Sequence, residues 1–143
     1  MKKRFSIVLL AVLLVLAVGC AKNQNQIKIP KDAAKLTVDF SWEGIQACTH
    51  ESPEIRVSDV PEGTEELRTY LSDLDLPAWN HGGGKVKYDG SGVIPAGALK
   101  LGYNGPCPPP GNRHTYEFSI MAMDADGVII GFGRAMQSFP PKN

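Results

Sequence analysis

The chain has 143 residues, with 15 Lys or Arg against 15 Asp or Glu, and 43% of its residues are hydrophobic. That length suits one domain with its own core. The balanced charge excludes the basic footprint of a nucleic-acid binder.

The first element in chain order is a processing signal. Lys2, Lys3 and Arg4 form a basic head, and an apolar run follows from Ile7 to Val18. The run is shorter than the roughly 20 apolar residues of a membrane span, so a secretory signal peptide over residues 1–19 fits better. Leu16-Ala17-Val18-Gly19-Cys20 resembles a bacterial lipobox, with Ala17 where leucine is more usual. That reading makes Cys20 a lipidation site and the bacterial cell envelope the address, inner or outer membrane undecided. Several acyl chains on one cysteine anchor firmly, where one binds marginally. An ordinary signal peptide and an uncleaved anchor are the alternatives. Cleavage before Cys20 removes Lys2, Lys3 and Arg4, leaving 12 basic against 15 acidic side chains. Residues 20–35 are polar around Asn23-Gln24-Asn25-Gln26 and read as a tether. The domain proper is residues 36–143. Its two cysteines, Cys48 and Cys107, are either a disulfide, which an exported compartment allows, or two buried thiols.

Leu36 to Trp42 alternates apolar and polar residues, the period of a half-buried strand. Glu54-Ile55-Arg56-Val57 is a second short alternating run, and Pro61-Glu62-Gly63-Thr64 a turn. Leu67 to Leu74 places Leu67, Thr69, Leu71 and Asp73 on one face. Lys85 to Tyr88 forms a short strand ending at Asp89-Gly90, and Ser91 belongs to that turn. A short helix is expected around Ala96 to Leu101. A rigid Pro/Gly loop from Tyr103 to Arg113 then delivers His114 and Tyr116 onto an apolar run, Tyr116 to Met123. Proline fixes φ, so such a loop has little freedom to lose on folding, and rigid loops ending in titratable side chains mark binding sites. Asp126-Gly127 is a hairpin signal before the last strand, Val128 to Phe132. Many short strands between Pro/Gly turns, with no long helical period, predict a mainly all-β fold, an antiparallel β sandwich. Trp42, Trp79, Met121, Met123 and Met136 are expected to pack, with Trp79 also placed to line a cavity rim. His50 is expected on a surface loop.

Four segments resemble the phosphatidylethanolamine-binding protein family, in its bacterial Raf-kinase-inhibitor-like branch. They are Cys48-Thr49-His50-Glu51-Ser52-Pro53, Asp73-Leu74-Asp75-Leu76-Pro77, Asn80-His81, and Gly105-Pro106-Cys107-Pro108-Pro109 with His114-Thr115-Tyr116. The last is the most specific, and the resemblance as a whole covers roughly residues 36 to 139. Two positions depart from the pattern. Leu74 replaces the central proline of the Asp-Pro-Asp element, and Gly82-Gly83-Gly84 stand where an aromatic residue follows the histidine. The resemblance implies a β sandwich with a small anion pocket at one end. It implies that Asp73, Asp75, His81, Gly105, Pro106, His114 and Tyr116 gather at that pocket.

Imidazoles and a phenol donate hydrogen bonds to phosphate oxygens, and the backbone amides of Gly82 to Gly84, or near Gly111, form a candidate anion nest. Asp73 and Asp75, two apart on an extended segment, face one way. They suit holding an imidazole as its cation or receiving a ligand ammonium. The expected function is non-catalytic binding of a small phosphate-bearing or other anionic ligand, with no cofactor and no metal. The alternative is a protein-interaction module inhibiting a kinase-like or protease-like partner. An enzyme is the weakest reading, because no His-Glu-x-x-His or Gly-x-Ser-x-Gly motif occurs.

Overall fold

A computed structural model describes residues 27–100 and 102–142. The signal peptide, Cys20 and the first part of the tether lie outside the described residues. No helix among the described residues is long and apolar enough to cross a membrane.

Eight strands build two sheets. They are β1 (Ala34–Lys35), β2 (Thr37–Phe40), β3 (Ile55–Ser58), β4 (Glu66–Asp73), β5 (Asn80–Lys87), β6 (Val93–Ile94), β7 (His114–Met123) and β8 (Ile129–Phe139). The larger sheet has the order β1-β8-β7-β4-β5, and the smaller β2-β3-β6. Every pairing is antiparallel except β1 with β8. The mainly-β expectation therefore holds.

The core forms where alternation aims apolar residues inward. On β4, Leu67, Thr69, Leu71 and Asp73 are all buried, the face the sequence predicts. On β7 the inward set is Tyr116, Phe118, Ile120 and Ala122. Phe40, Trp42, Ile55 and Val57 join them in one cluster. Phe40 meets Trp42 and Phe118 edge-on, each at 4.9 Å between ring centres. Such edge contacts stabilise by roughly 0.5–1.5 kcal/mol each beyond burial. Polar ties cross the core as well. Trp42 Nε1–H donates to the Gln137 carbonyl at 3.3 Å, and the Gln137 amide donates to the Phe40 carbonyl.

Several expectations are corrected. β5 starts at Asn80, not Lys85, and contains the three glycines. A Cβ on Gly83 would lie 2.0 Å from the Thr69 carbonyl oxygen, so close strand approach requires glycine there. Where a helix is expected around Ala96 to Leu101, Ala96 and Gly97 form a turn, closed by Ala98 N–H donating to the Pro95 carbonyl, and Leu101 lies outside the described residues. β8 runs on to Phe139, well past Phe132. Trp42 is buried, but Trp79 and Met136 are exposed. Met121 and Met123 are buried as expected.

Cys48 and Cys107 form a disulfide, Cα atoms 4.5 Å apart, across 59 residues of chain. Closing a loop of that size in the unfolded chain is worth about 4 kcal/mol in the chain-entropy account. Backbone bonds run beside it: Cys48 N–H donates to the Pro106 carbonyl at 2.7 Å and Gly105 N–H to the Thr49 carbonyl at 2.8 Å. The Cys48→Ser/Cys107→Ser variant should therefore lose stability by about 2–4 kcal/mol. Urea unfolding followed by circular dichroism measures it; an unchanged midpoint would show that the backbone bonds hold this loop without the bridge.

Candidate functional site

The antiparallel register brings the end of β4 beside the start of β7, with Asp73 opposite Tyr116. It also brings Asn80, at the start of β5, opposite Ser72. Asp73, His81, His114 and Tyr116 therefore collect at one end of the large sheet. Asp73 and His81 are buried, and His114 is 14% exposed, making it the group with access to solvent.

Asp73 organises this cluster. Its Oδ2 accepts a hydrogen bond from His114 Nδ1–H at 2.7 Å and lies 4.0 Å from His81 Nε2. Its Oδ1 accepts from the backbone N–H groups of Asp75 at 2.9 Å and Leu76 at 3.0 Å. Burial pushes the carboxyl pKa up. The His114 hydrogen bond, the Leu76 and Asp75 amides and the His114 charge outweigh that, leaving it below its ordinary 3.8.

His81 is oriented from the other side. Its Nδ1 lies 2.8 Å from the Asn104 carbonyl. A carbonyl only accepts, so Nδ1 carries the proton. Asn104 N–H returns a bond to the His81 carbonyl at 2.8 Å. Nothing in the sequence reading had singled out Asn104, although it sits inside the Pro/Gly loop. The His81 and Tyr116 rings meet edge-on at 5.3 Å, and His114 stacks on Tyr116 at 6.3 Å. The Tyr116 hydroxyl accepts from Cys107 N–H at 3.3 Å. Burial, then the Asp73 charge, push its pKa up, so the phenol keeps its proton.

The other expected site residues sit differently. β4 ends at Asp73, because its Oδ1 draws the next amides into a turn, so Asp75 is not two places along a strand. Asp75 is exposed, and its Oδ2 accepts from Thr115 N–H at 2.6 Å. Gly105 and Pro106 are buried, with the Gly105 amide and the Pro106 carbonyl engaged against Thr49 and Cys48. Gly82 N–H is taken by Asn80 Oδ1 at 2.9 Å, and Gly82 to Gly84 are strand residues rather than an open nest. Gly111 is exposed with φ of +81°. His50 is exposed in its loop, its Nδ1–H donating to the Tyr103 carbonyl at 3.2 Å.

Three surface grooves lie away from this cluster. The largest of the three, about 660 Å³, runs over Tyr70, Gly82 to Gly84 and Lys100; none is lined by Asp73, His81, His114 or Tyr116. The cluster is thus a buried group of polar side chains whose most solvent-accessible member is His114. No group of three or more His, Cys, Asp or Glu side chains able to hold a metal occurs among the described residues.

The family model for phosphatidylethanolamine-binding protein matches residues 23–139. The chain belongs to this family. Similar curated relatives are the UPF0098 protein YbhB of Escherichia coli (strain K12), 31% identical over 57% of this chain and 70% of its own, and the UPF0098 protein PYRAB11530 of Pyrococcus abyssi (strain GE5 / Orsay), 25% identical over 80% of this chain and 77% of its own. Among solved structures, the putative phosphatidylethanolamine-binding protein homologue CT736 from Chlamydia trachomatis superposes with a TM-score of 0.51. Its identity is 21%, over 78% of this chain and all of that one. That likeness supports the fold alone.

A cluster built round a buried carboxylate has a pH signature. A carboxyl whose folded pKa is depressed stabilises the fold above its unfolded pKa, and loses that contribution as pH falls through the folded value. Asp73→Asn should therefore unfold at lower temperature than the parent at neutral pH, with the gap closing below about pH 4. Thermal unfolding from pH 7 to pH 2 measures this; a gap independent of pH would show that the Asp73 charge is not what stabilises the cluster.

Proposed function

We propose that this protein binds a small phosphate-bearing anion without turning it over, at the His114 end of the large sheet. The observation that carries the reading is the Asp73–His114 pair, 2.7 Å apart, with its imidazole at the solvent boundary. Asp73 holds Nδ1–H inward, so a ring that also carries Nε2–H presents it as an anion donor. Tyr116 adds a hydroxyl that keeps its proton. A phosphate or phosphoethanolamine head group matches these donors, and the exposed Asp75 carboxylate suits the ammonium of the latter.

Binding is favoured over catalysis by what the nucleophiles do. Cys48 and Cys107 are consumed in the disulfide, and the raised Tyr116 pKa makes its phenol a poor base. We further propose that a lipid on Cys20 holds the domain to the envelope, on the strength of the lipobox-like Leu16 to Cys20.

Titration with phosphate and then phosphoethanolamine, followed by amide and imidazole NMR, tests the site. Saturable shifts should centre on His81 and His114 to Tyr116. His114→Ala should weaken binding at least tenfold, the loss of a charge-assisted hydrogen bond worth about 1.5–3 kcal/mol, while the amide spectrum elsewhere stays folded. Equal affinity in that variant would move the ligand elsewhere.

A further inference from the structure

The loop between β4 and β5 carries Leu74, Leu76 and Trp79, which are 44%, 47% and 60% exposed. Three large apolar side chains exposed within six consecutive residues concentrate apolar surface on one loop, unlike scattered surface leucines. The loop is held down by its polar groups. Leu74 N–H donates to the Thr115 carbonyl at 2.9 Å, Asp75 and Leu76 N–H to Asp73 Oδ1, and Trp79 N–H to the Leu76 carbonyl at 3.0 Å. Pro77 has no N–H, which leaves Ala78 as the loop residue whose amide has no protein partner among the described residues.

We propose that this loop docks on a lipid bilayer, seating Leu74, Leu76 and Trp79 among the head groups beside the imidazole site. A loop with all but one of its amides already satisfied enters a less polar medium at a lower desolvation cost than an open loop. Being pre-formed, it loses little conformational freedom on contact. Tryptophan and leucine are the side chains that favour the boundary between head groups and acyl chains. The patch exposes on the order of 300 Å² of apolar surface, well short of the roughly 800 Å² per partner in a specific protein interface. A bilayer needs no complementary shape beyond the patch, so that area suffices. Arg113 is exposed just before β7, whose first residues are bonded to this loop, and offers a cation to lipid phosphates.

The proposal extends the head-group reading above, and its test reads a different residue. The chain has two tryptophans, one buried at 1% and one exposed at 60%, so Trp79 is the natural reporter. The full chain is mixed with vesicles of phosphatidylcholine and phosphatidylethanolamine, with and without brominated acyl chains. We expect a blue shift of the emission with plain vesicles and quenching with brominated ones, both absent in Trp79→Phe. Leu74→Ser/Leu76→Ser should weaken the vesicle-dependent shift at least tenfold in lipid concentration. Full-length protein that floats with the vesicles while Trp79 stays unshifted and unquenched overturns the proposal, because another segment then makes the contact. A shift that grows with protein concentration in the absence of vesicles also overturns it, in favour of self-association. Phosphate shifts at His114 without quenching remove only the docking proposal, and quenching without those shifts removes only the head-group reading.

Discussion

One buried carboxylate, that of Asp73, sets the geometry on which the site depends. An anion at 3% exposure is tolerated only when its oxygens are matched by donors. Here Oδ2 is matched by the His114 imidazole and Oδ1 by two backbone amides. Burial, reinforced by this charge, keeps Tyr116 protonated, and the same carboxylate lies near His81. Three consequences follow from one side chain: the ring of His114 is aimed, β4 is stopped, and the loop to β5 is turned outward. Asp75 completes the turn from the other end through Thr115.

The described part of the chain has no helix to close the end of the sandwich, and the loop from Tyr103 to Arg113 serves there instead. It is fastened at five places: to His50 through Tyr103, to His81 through Asn104, to Thr49 through Gly105, to Tyr116 through Cys107, and to Cys48 by the disulfide. Its prolines reduce the unfolded chain's freedom further. Small domains gain little from area burial alone, so covalent and local constraints of this kind weigh heavily. The loop also supplies polar partners to both His81 and Tyr116, so rigidity here is rigidity of the site.

Much of this was legible in the sequence because β3, β4 and β7 alternate cleanly, and the inward face of β4 was readable residue by residue. β5 was not legible over Asn80 to Gly84, since a strand written in glycine shows no alternation. Its glycines are demanded by neighbours that come later in the chain: a Cβ on Gly82 would sit 1.7 Å from the Gly102 carbonyl oxygen. β8 hid for a related reason. Gly131 and Gly133 pack against Leu36 where a Cβ would collide, and Arg134 to Ser138 carry a weak pattern. Asp75 was misplaced because strand periodicity was carried one turn too far. Trp79 was expected to pack because aromatic residues usually do, and only the tertiary turn exposes it. The Cys48–Cys107 pairing was open because sequence does not report distance.

The two oxygens of Asp73 face different chemistries, and this couples the polar site to the apolar loop. Oδ2 serves the ring that would meet an anion, and Oδ1 serves the amides that present Leu76 and its neighbours. One carboxylate therefore fixes two things at once: which edge of the His114 ring is held inward, and the turn that carries the exposed apolar side chains. Neither shifts freely without the other, since moving Oδ2 off the ring would also draw Oδ1 away from its two amides.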